Sequence, residues 1–352
     1  MFLIFFFLAG ILRLKRVHDP RIKKLSIIVA ARNEEKYLPE LLDRLLNQNY
    51  PEDAYEMIII DDRSTDETAG IIRKYQQRTS QIRFISIEDY DPVLSGKKKA
   101  LAVGIDYASN EILVFTDADC LPGRNWLQEI NRHFSDQIDF LAGYSPLQIK
   151  NGLLSVLKNL ERVSLFAVTA GSFGWKWGIT CTARNMAYRK SIFNKINGFE
   201  GIGQIPSGDD DLLLQKMAGF LRKLTFMFTT TSFVPARDRT EWKIQINQES
   251  RRASKWRYYP LPVKAMTLFI FSYYLSIFLA VTLTFFSLLS WQEVITLIIL
   301  KTVPEFLLLA CFLIKVKKCK LLWGFLIAEV IYIPYFIFFA VKGTWGRYSW
   351  KD

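Results

Sequence analysis

From Leu25 to Asp119 the sequence alternates short apolar, β-prone runs with segments of helical period, and few folds accept that alternation. LSIIVAA, YEMIIID, IRFISI and ILVFTDAD read as four strands. Between them lie Glu34 to Asn47, with Leu38, Leu41, Leu42, Leu45 and Leu46 at helical spacing, then Ser64 to Gln77, and then Gly96 to Tyr107. The second of these segments opens on STDE, a capping-box pattern. Strand–helix alternation builds a mostly parallel sheet flanked by helices, an α/β fold. Such sheets bind ligands at the carboxyl ends of their strands. Arg32, Asp62 and Asp119 all fall at those ends.

The fourth strand runs into Asp117 and Asp119 and stops at Pro122-Gly123. In an extended chain residues two apart point the same way, so both carboxylates are expected to leave the strand tip together. Held there they repel unless a cation lies between them, and Mg²⁺ favours one or two carboxylates plus waters and phosphate oxygens. Taken alone, the tripeptide is better explained by one helix-capping Asp and one solvated Asp.

The chain has 352 residues, half of them hydrophobic, and the apolar excess collects at Met1–Leu12 and from Met266 onward. Three runs there, Met266–Ser290, Val294–Ile314 and Leu321–Val341, reach the roughly 20 residues that span a bilayer. The net charge of +12 lies mostly beside these runs, which fits anionic lipid rather than nucleic acid, and no nucleic-acid-binding pattern is present. Positive charge follows the N-terminal apolar stretch (Arg13, Lys15, Arg16) instead of preceding it, the reverse of a secretory signal. This cluster and the basic loop KVKKCK both place the globular part in the cytoplasm. Lys301 and Glu305, four apart in the second span, are expected to pair with each other.

Cys120, Cys181, Cys311 and Cys319 form no CxxC, and His18 and His133 are far apart, so neither a zinc site nor a histidine triad is expected. Acid–base chemistry falls to carboxylates. Asn151 to Ala170 is an amphipathic helix whose Lys158, Glu161 and Arg162 argue against a span; it lies on a membrane surface or packs on the sheet. Gly198 to Gly208 reads as a mobile loop, Asp209-Asp210-Asp211 opens an apolar helix, and QESRRASKWR is basic.

AARNEE, DDRSTDET, GKKKAL, TDAD, GDDD and a QxxR segment occur here in the order found in glycosyltransferase family 2, which this chain resembles from about Leu25 to Arg257. The resemblance implies the GT-A nucleotide-diphospho-sugar transferase fold and inverting transfer. It implies donor binding by Ala30, Arg32, Glu34, Asp62, Lys97 and Asp117. Asp119, with Asp117 second, would hold a divalent metal, Mg²⁺ or Mn²⁺, on the diphosphate. Asp210, with Asp209 second, would be the base. Gln248, Arg251, Arg252, Trp256 and Asn185 would serve the diphosphate and acceptor.

Polymer-extending members carry QxxRW, and Arg252 stands in the Trp position here, which counts against processive synthesis. Ala102 and Arg184 likewise stand where the family has Asn. The expected organisation is a membrane anchor with basic flank (1–20), a catalytic domain (21–245), a basic juxtamembrane segment (246–263) and three transmembrane helices (264–352). The expected protein is a multi-pass enzyme of the bacterial inner membrane. It takes a nucleotide-diphospho-sugar, a UDP-sugar first, and delivers to a lipid-linked or glycan acceptor, contacting membrane lipids but not nucleic acid. The alternatives are a processive polysaccharide synthase and a non-catalytic scaffold with a degenerate transferase domain.

Overall fold

The computed structural model describes residues 1–345 other than 16, 90, 92, 95, 149–151 and 239–241. The helices are α1 (Phe2–Arg13), α2 (Leu38–Leu46), α3 (Thr68–Gln76), α4 (Lys97–Tyr107), α5 (Trp126–His133), α6 (Leu153–Phe173), α7 (Lys190–Lys195) and α8 (Asp211–Met217). They continue with α9 (Trp242–Ser254), α10 (Leu261–Phe285), α11 (Trp291–Lys315) and α12 (Phe325–Trp345). The strands are β1 (Leu25–Ala31), β2 (Tyr55–Asp62), β3 (Ile82–Ile87), β4 (Ile112–Phe115), β5 (Phe140–Gly143), β6 (Met186–Arg189) and β7 (Leu224–Met227).

They form one sheet in the order β3-β2-β1-β4-β6-β5-β7. The expected parallel half is present: β3, β2, β1 and β4 all run the same way. Beyond it β6 pairs antiparallel with both β4 and β5, and β7 returns parallel to β5. Both faces of the sheet are covered, as the nearly unbroken apolar runs require. Ile27 and Val29 of β1 enter the core under α2, α3 and α5, while Ile28 enters the opposite core with α4 and α6.

The second core does not stop at the α/β domain. It takes in Phe7 and Ile11 of α1 and Leu308, Phe312 and Leu313 of α11. Phe312 reaches the aromatic cluster of the sheet, 5.5 Å from Tyr144 and 5.8 Å from Phe226 between ring centroids. The amphipathic helix therefore packs on the sheet on one side and on α1 and α11 on the other. Its expected first residue, Asn151, lies outside the described residues. α1 crosses α6 through Gly10, Gly171 and Gly174, where a Cβ added to Gly10 would meet the Gly171 carbonyl oxygen at 1.9 Å. Small residues let two helix backbones touch in this way.

Among the described residues, three helices are long and apolar enough to cross a membrane: Leu261–Phe285, Trp291–Lys315 and Cys319–Thr344. The expected Lys301–Glu305 pair forms at 2.9 Å, and Lys301 also reaches Glu329 of α12. Tyr274 of α10 donates to Glu305 at 3.1 Å, so one buried lysine ties all three helices together.

Several boundaries differ from expectation, with local causes. α2 begins at Leu38 rather than Glu34, because Asn33 takes a left-handed turn (φ 53°) that ends the strand first. STDE makes no capping box: the Ser64 hydroxyl accepts the Asn33 N–H at 2.9 Å, and Asp66 accepts Thr68 N–H at 3.0 Å in its place. The unexpected box is at α11, where Ser290 and Glu293 exchange side-chain and backbone bonds. The Gly198–Gly208 stretch is held rather than loose. Lys98 donates to the carbonyls of Ile202, Ile205 and Ser207 at 2.6–2.9 Å, and Lys216 to those of Gly198 and Glu200.

The glycine crossing gives a stability test. Gly10→Val is expected to cost about 1–3 kcal/mol through overpacking, read as a lowered unfolding temperature in detergent. Gly219→Ala, with open space around it, should leave that temperature unchanged.

Candidate active site

The carboxyl ends of the parallel strands open into a cavity of about 610 Å³. Ala30, Arg32, Glu34 and Asp62 line it from the tips of β1 and β2. Those two tips are stitched to each other. Thr65 N–H donates to Asn33 Oδ1 at 2.8 Å, Glu34 N–H to Thr68 Oγ1 at 2.8 Å, Glu35 N–H to Asp66 at 3.1 Å, and Glu67 N–H to Glu35 at 3.0 Å. Side chains standing in for backbone partners fix loops that would otherwise cost entropy to order. Arg63, also left-handed (φ 56°), pairs with Asp62 at 2.9 Å at the cavity rim.

β4 ends at Phe115, so Asp117 and Asp119 sit on a turn beyond the strand, closed by Cys120 N–H donating to the Asp117 carbonyl at 3.1 Å. The extended-strand argument for their shared direction therefore does not hold, yet both still line the cavity. The turn is what brings in Cys120: ligand atoms of Asp117, Asp119 and Cys120 lie within 4.8 Å of one another. Burial, then the neighbouring Asp119 and Asp117 charges, push the Cys120 thiol's pKa up, so it stays neutral and is a poor ligand. Two hard carboxylate donors remain, a set suited to Mg²⁺ or Mn²⁺. Asp117 is already approached by Lys97 at 2.7 Å and Arg184 at 3.5 Å. Asp119 attracts Arg184 too, more strongly than Asp117 does, so both carboxylates of the turn have basic neighbours.

Lys97, expected among the donor-binding residues, lines the cavity, and its ammonium bridges Asp117 and Asp209, the latter at 2.9 Å. Burial alone would lower its pKa, but the two carboxylates outweigh burial and raise it. Lys97 lines the cavity as a brace between the β4 turn and the start of α8.

The three acids at α8 divide by their surroundings. Asp209 is tied to Lys97. Asp211 is held by Lys255 at 2.6 Å and by the Tyr259 hydroxyl at 3.2 Å. Asp210 caps α8 by accepting the Asp211 N–H at 2.7 Å, lines the cavity, and has Lys255 only at 3.7 Å. Burial raises the Asp210 pKa above its ordinary value, with Lys255 pulling partly back. A carboxylate with raised pKa facing a cavity is the usual condition of a general base.

The basic segment is α9 followed by a tight turn over Lys255–Tyr258, and it packs along α12. Gln248, Arg251 and Arg252 line the cavity. Arg252 is paired with Glu161 at 2.8 Å and Glu249 at 3.0 Å, so it is not a lipid-facing surface arginine. Trp256 turns away: its indole donates to Thr344 of α12 at 3.2 Å, and it offers no stacking surface to the cavity. Asn185 is also placed elsewhere. It is fully buried, accepts from the Trp126 indole at 3.0 Å and donates to the carbonyls of Tyr144 and Ser232, bracing the sheet rather than meeting a ligand. Lining residues that sequence reasoning left out are Arg162, Lys255 and Tyr259, with Arg184 noted only as a departure. The helical spacing of Arg162 with Leu165, Phe166 and Thr169, which share a cavity-facing side of α6, was the available signal.

With this geometry in place, residues 26–196, just under half of the chain, match the family model described as Glycosyl transferase family 2. Among curated relatives, it is 25% identical over 190 residues to "Probable glycosyltransferase YdaM" of Bacillus subtilis, covering 53% of this chain and 45% of that one. It is 26% identical over 218 residues to "Glycosyltransferase AglE" of Haloferax volcanii, covering 60% of this chain and 67% of that one. The chain thus spans less than half the length of the first relative. In fold it is similar to the mannosyltransferase PcManGT of Pyrobaculum calidifontis, solved in complex with GDP-Man and Mn²⁺. That likeness has TM-score 0.61 at 16% identity and covers 98% of this chain and 95% of that one. The GT-A fold expected from the motifs is the fold observed.

The carboxylate ranking has a direct test. Asp119→Ala should lose Mn²⁺ binding by at least about tenfold, measured by the enhancement of water-proton relaxation. Asp117→Asn should lose less. Unchanged Mn²⁺ affinity in Asp119→Ala would remove the metal from this turn.

Proposed function

We propose that the chain transfers a sugar, with inversion, from a nucleotide-diphospho-sugar to an acceptor presented at the membrane. The convergence on one cavity of the stitched β1–β2 tips, the Asp117–Asp119 turn and Asp210 carries this reading. The strand tips, with Arg32, Glu34 and Asp62, bind the nucleoside. Asp119, helped by Asp117, holds a divalent metal, whose chemistry is to neutralise charge on the departing diphosphate. Arg251 and Lys255 add fixed positive charge in the same cavity.

Asp210 takes the proton from the acceptor hydroxyl while that oxygen forms its bond to the anomeric carbon. The bond from that carbon to the diphosphate oxygen breaks, and the nucleoside diphosphate leaves with the electron pair. Lys97 pairs with Asp209 at 2.9 Å, so the acid left to accept the proton is Asp210. Trp256 bonded to Thr344 favours single transfer over chain extension, because its indole is turned toward α12 and away from the cavity where a growing glycan would stack. The apolar helices α10, α11 and α12, docked on the domain through Phe312, support a membrane setting, and the basic residues after α1 and before α12 support a cytoplasmic active site. We assign a bacterial inner membrane and a UDP-sugar on the sequence resemblance.

Incubating the full chain in detergent with nucleotide sugars, with and without Mn²⁺, is expected to give metal-dependent donor turnover with one sugar type. A ladder or high-mass product on gels would overturn single transfer, and absence of any donor turnover would support the scaffold reading. Asp210→Asn should lower kcat by about 10²–10⁴ with donor KM little changed. In the wild type, activity should fall as pH drops through the raised Asp210 pKa, because the base must be ionised. The acid limb of kcat/KM therefore lies above the ordinary carboxylate range; a limb at or below it would disqualify Asp210.

A further inference from the structure

The cavity-facing side of α6 carries Arg162, then Leu165, Phe166 and Thr169. Arg162 also lines a second, smaller cavity of about 40 Å³ beside Asp119, which shares Arg184 and Arg252 with the large one. None of Ala30, Arg32, Glu34 or Asp62 lines that second space among the described residues.

The three guanidiniums are unequally matched by acids. Arg252 has two carboxylates, Glu161 and Glu249. Arg184 lies 3.5 Å from Asp117 and is attracted most by Asp119, so its charge is held against burial. Arg162 donates one 3.4 Å bond to the Ser145 carbonyl and makes no ion pair among the described residues. Burial, then the charges of Arg184 and Arg252, lower its pKa, and the attraction of Glu161 and Glu249 is weaker than that repulsion. A guanidinium offers five donors, and withdrawing it from water beside other cations is costly unless an anion completes the site.

We infer that Arg162 and Arg184 form a subsite for a phosphate-type anion carried by the acceptor, recognised by paired N–H donors. Phosphate suits this because its oxygens accept from two guanidiniums at once. Leu165 and Phe166 stand one turn further along α6, and beyond them Gly171 and Gly174 cross α1. The cavity follows α6 from Arg162 past Leu165 and Phe166 to Thr169, which sets an apolar wall beside the anion site. Assigning the subsite to the acceptor, and not to the donor, rests on the nucleoside lying at the β1 and β2 tips.

The test uses the full chain in maltoside detergent, with its donor site saturated by the nucleoside diphosphate chosen in the donor screen plus Mn²⁺. Binding of dodecyl phosphate and of inorganic phosphate is then titrated calorimetrically. Arg162→Met should weaken dodecyl phosphate binding by about tenfold or more, Arg162→Lys should recover part of it, and nucleoside diphosphate affinity should stay within about twofold. Dodecyl phosphate binding well above inorganic phosphate assigns the subsite to a lipid phosphate, and equal binding assigns it to a phosphate without a lipid tail. Either result supports the subsite. Unchanged dodecyl phosphate affinity in Arg162→Met overturns it, as does an equal loss of nucleoside diphosphate affinity, which would give Arg162 to the donor. A wild-type chain that binds dodecyl phosphate through Arg162 but binds no nucleoside diphosphate would overturn the donor reading and leave the anion site standing.

Discussion

One ammonium holds the two halves of the site in register. Lys97, at the first turn of α4, lies between Asp117 on the β4 turn and Asp209 at the start of α8. Without it two carboxylates from distant parts of the chain would face each other in a partly buried cavity, where repulsion is weakly screened. The same contact sets the order of the acids. It takes up Asp209 and partly neutralises Asp117, while Asp119 and Asp210 line the same cavity. Lys255 does the corresponding work for Asp211. The chemistry of the cavity thus follows from which acids the protein's own cations have already claimed.

A second constraint is mechanical. Phe312 of α11 enters the aromatic cluster around Tyr144, and α1 reaches α6 through backbone contact at Gly10 and Gly171. α9, which carries Gln248, Arg251 and Arg252 to the cavity, packs along α12. Apolar contacts this close are difficult to slide, because interiors are packed near crystal density. The site and the three apolar helices therefore form one structure. Lys301 with Glu305, Glu329 and Tyr274 gives those helices a polar lock, whose members would each be costly to leave unpaired in lipid.

Two identical local signals show where sequence reading succeeds and where it fails. Ser64 to Glu67 and Ser290 to Glu293 both spell a capping box, but only the second forms one. At Ser290 the hydroxyl donates to the Glu293 carboxylate and accepts the Glu293 N–H. At Ser64 the Asn33 N–H, from a neighbouring strand tip, takes it. Asn185 and Trp256 show the same thing. Their positions match motif residues, yet Asn185 is consumed by the sheet and Trp256 by α12, and no local pattern records which neighbour arrives first.

Sequence by itself determined the alternating strands and helices, the three apolar helices, the Lys301–Glu305 pair, and the placing of Arg32, Asp62 and Asp119 at strand ends. These depend on period, length and spacing, which are local properties of the chain. Tertiary structure alone decided the antiparallel β6, the turn that sets Asp117 and Asp119, the different partners of the three adjacent acids Asp209, Asp210 and Asp211, and the meeting of Arg162 with Arg184. Each of those depends on desolvation and on charges brought together from far along the chain, and neither exists until the chain has folded.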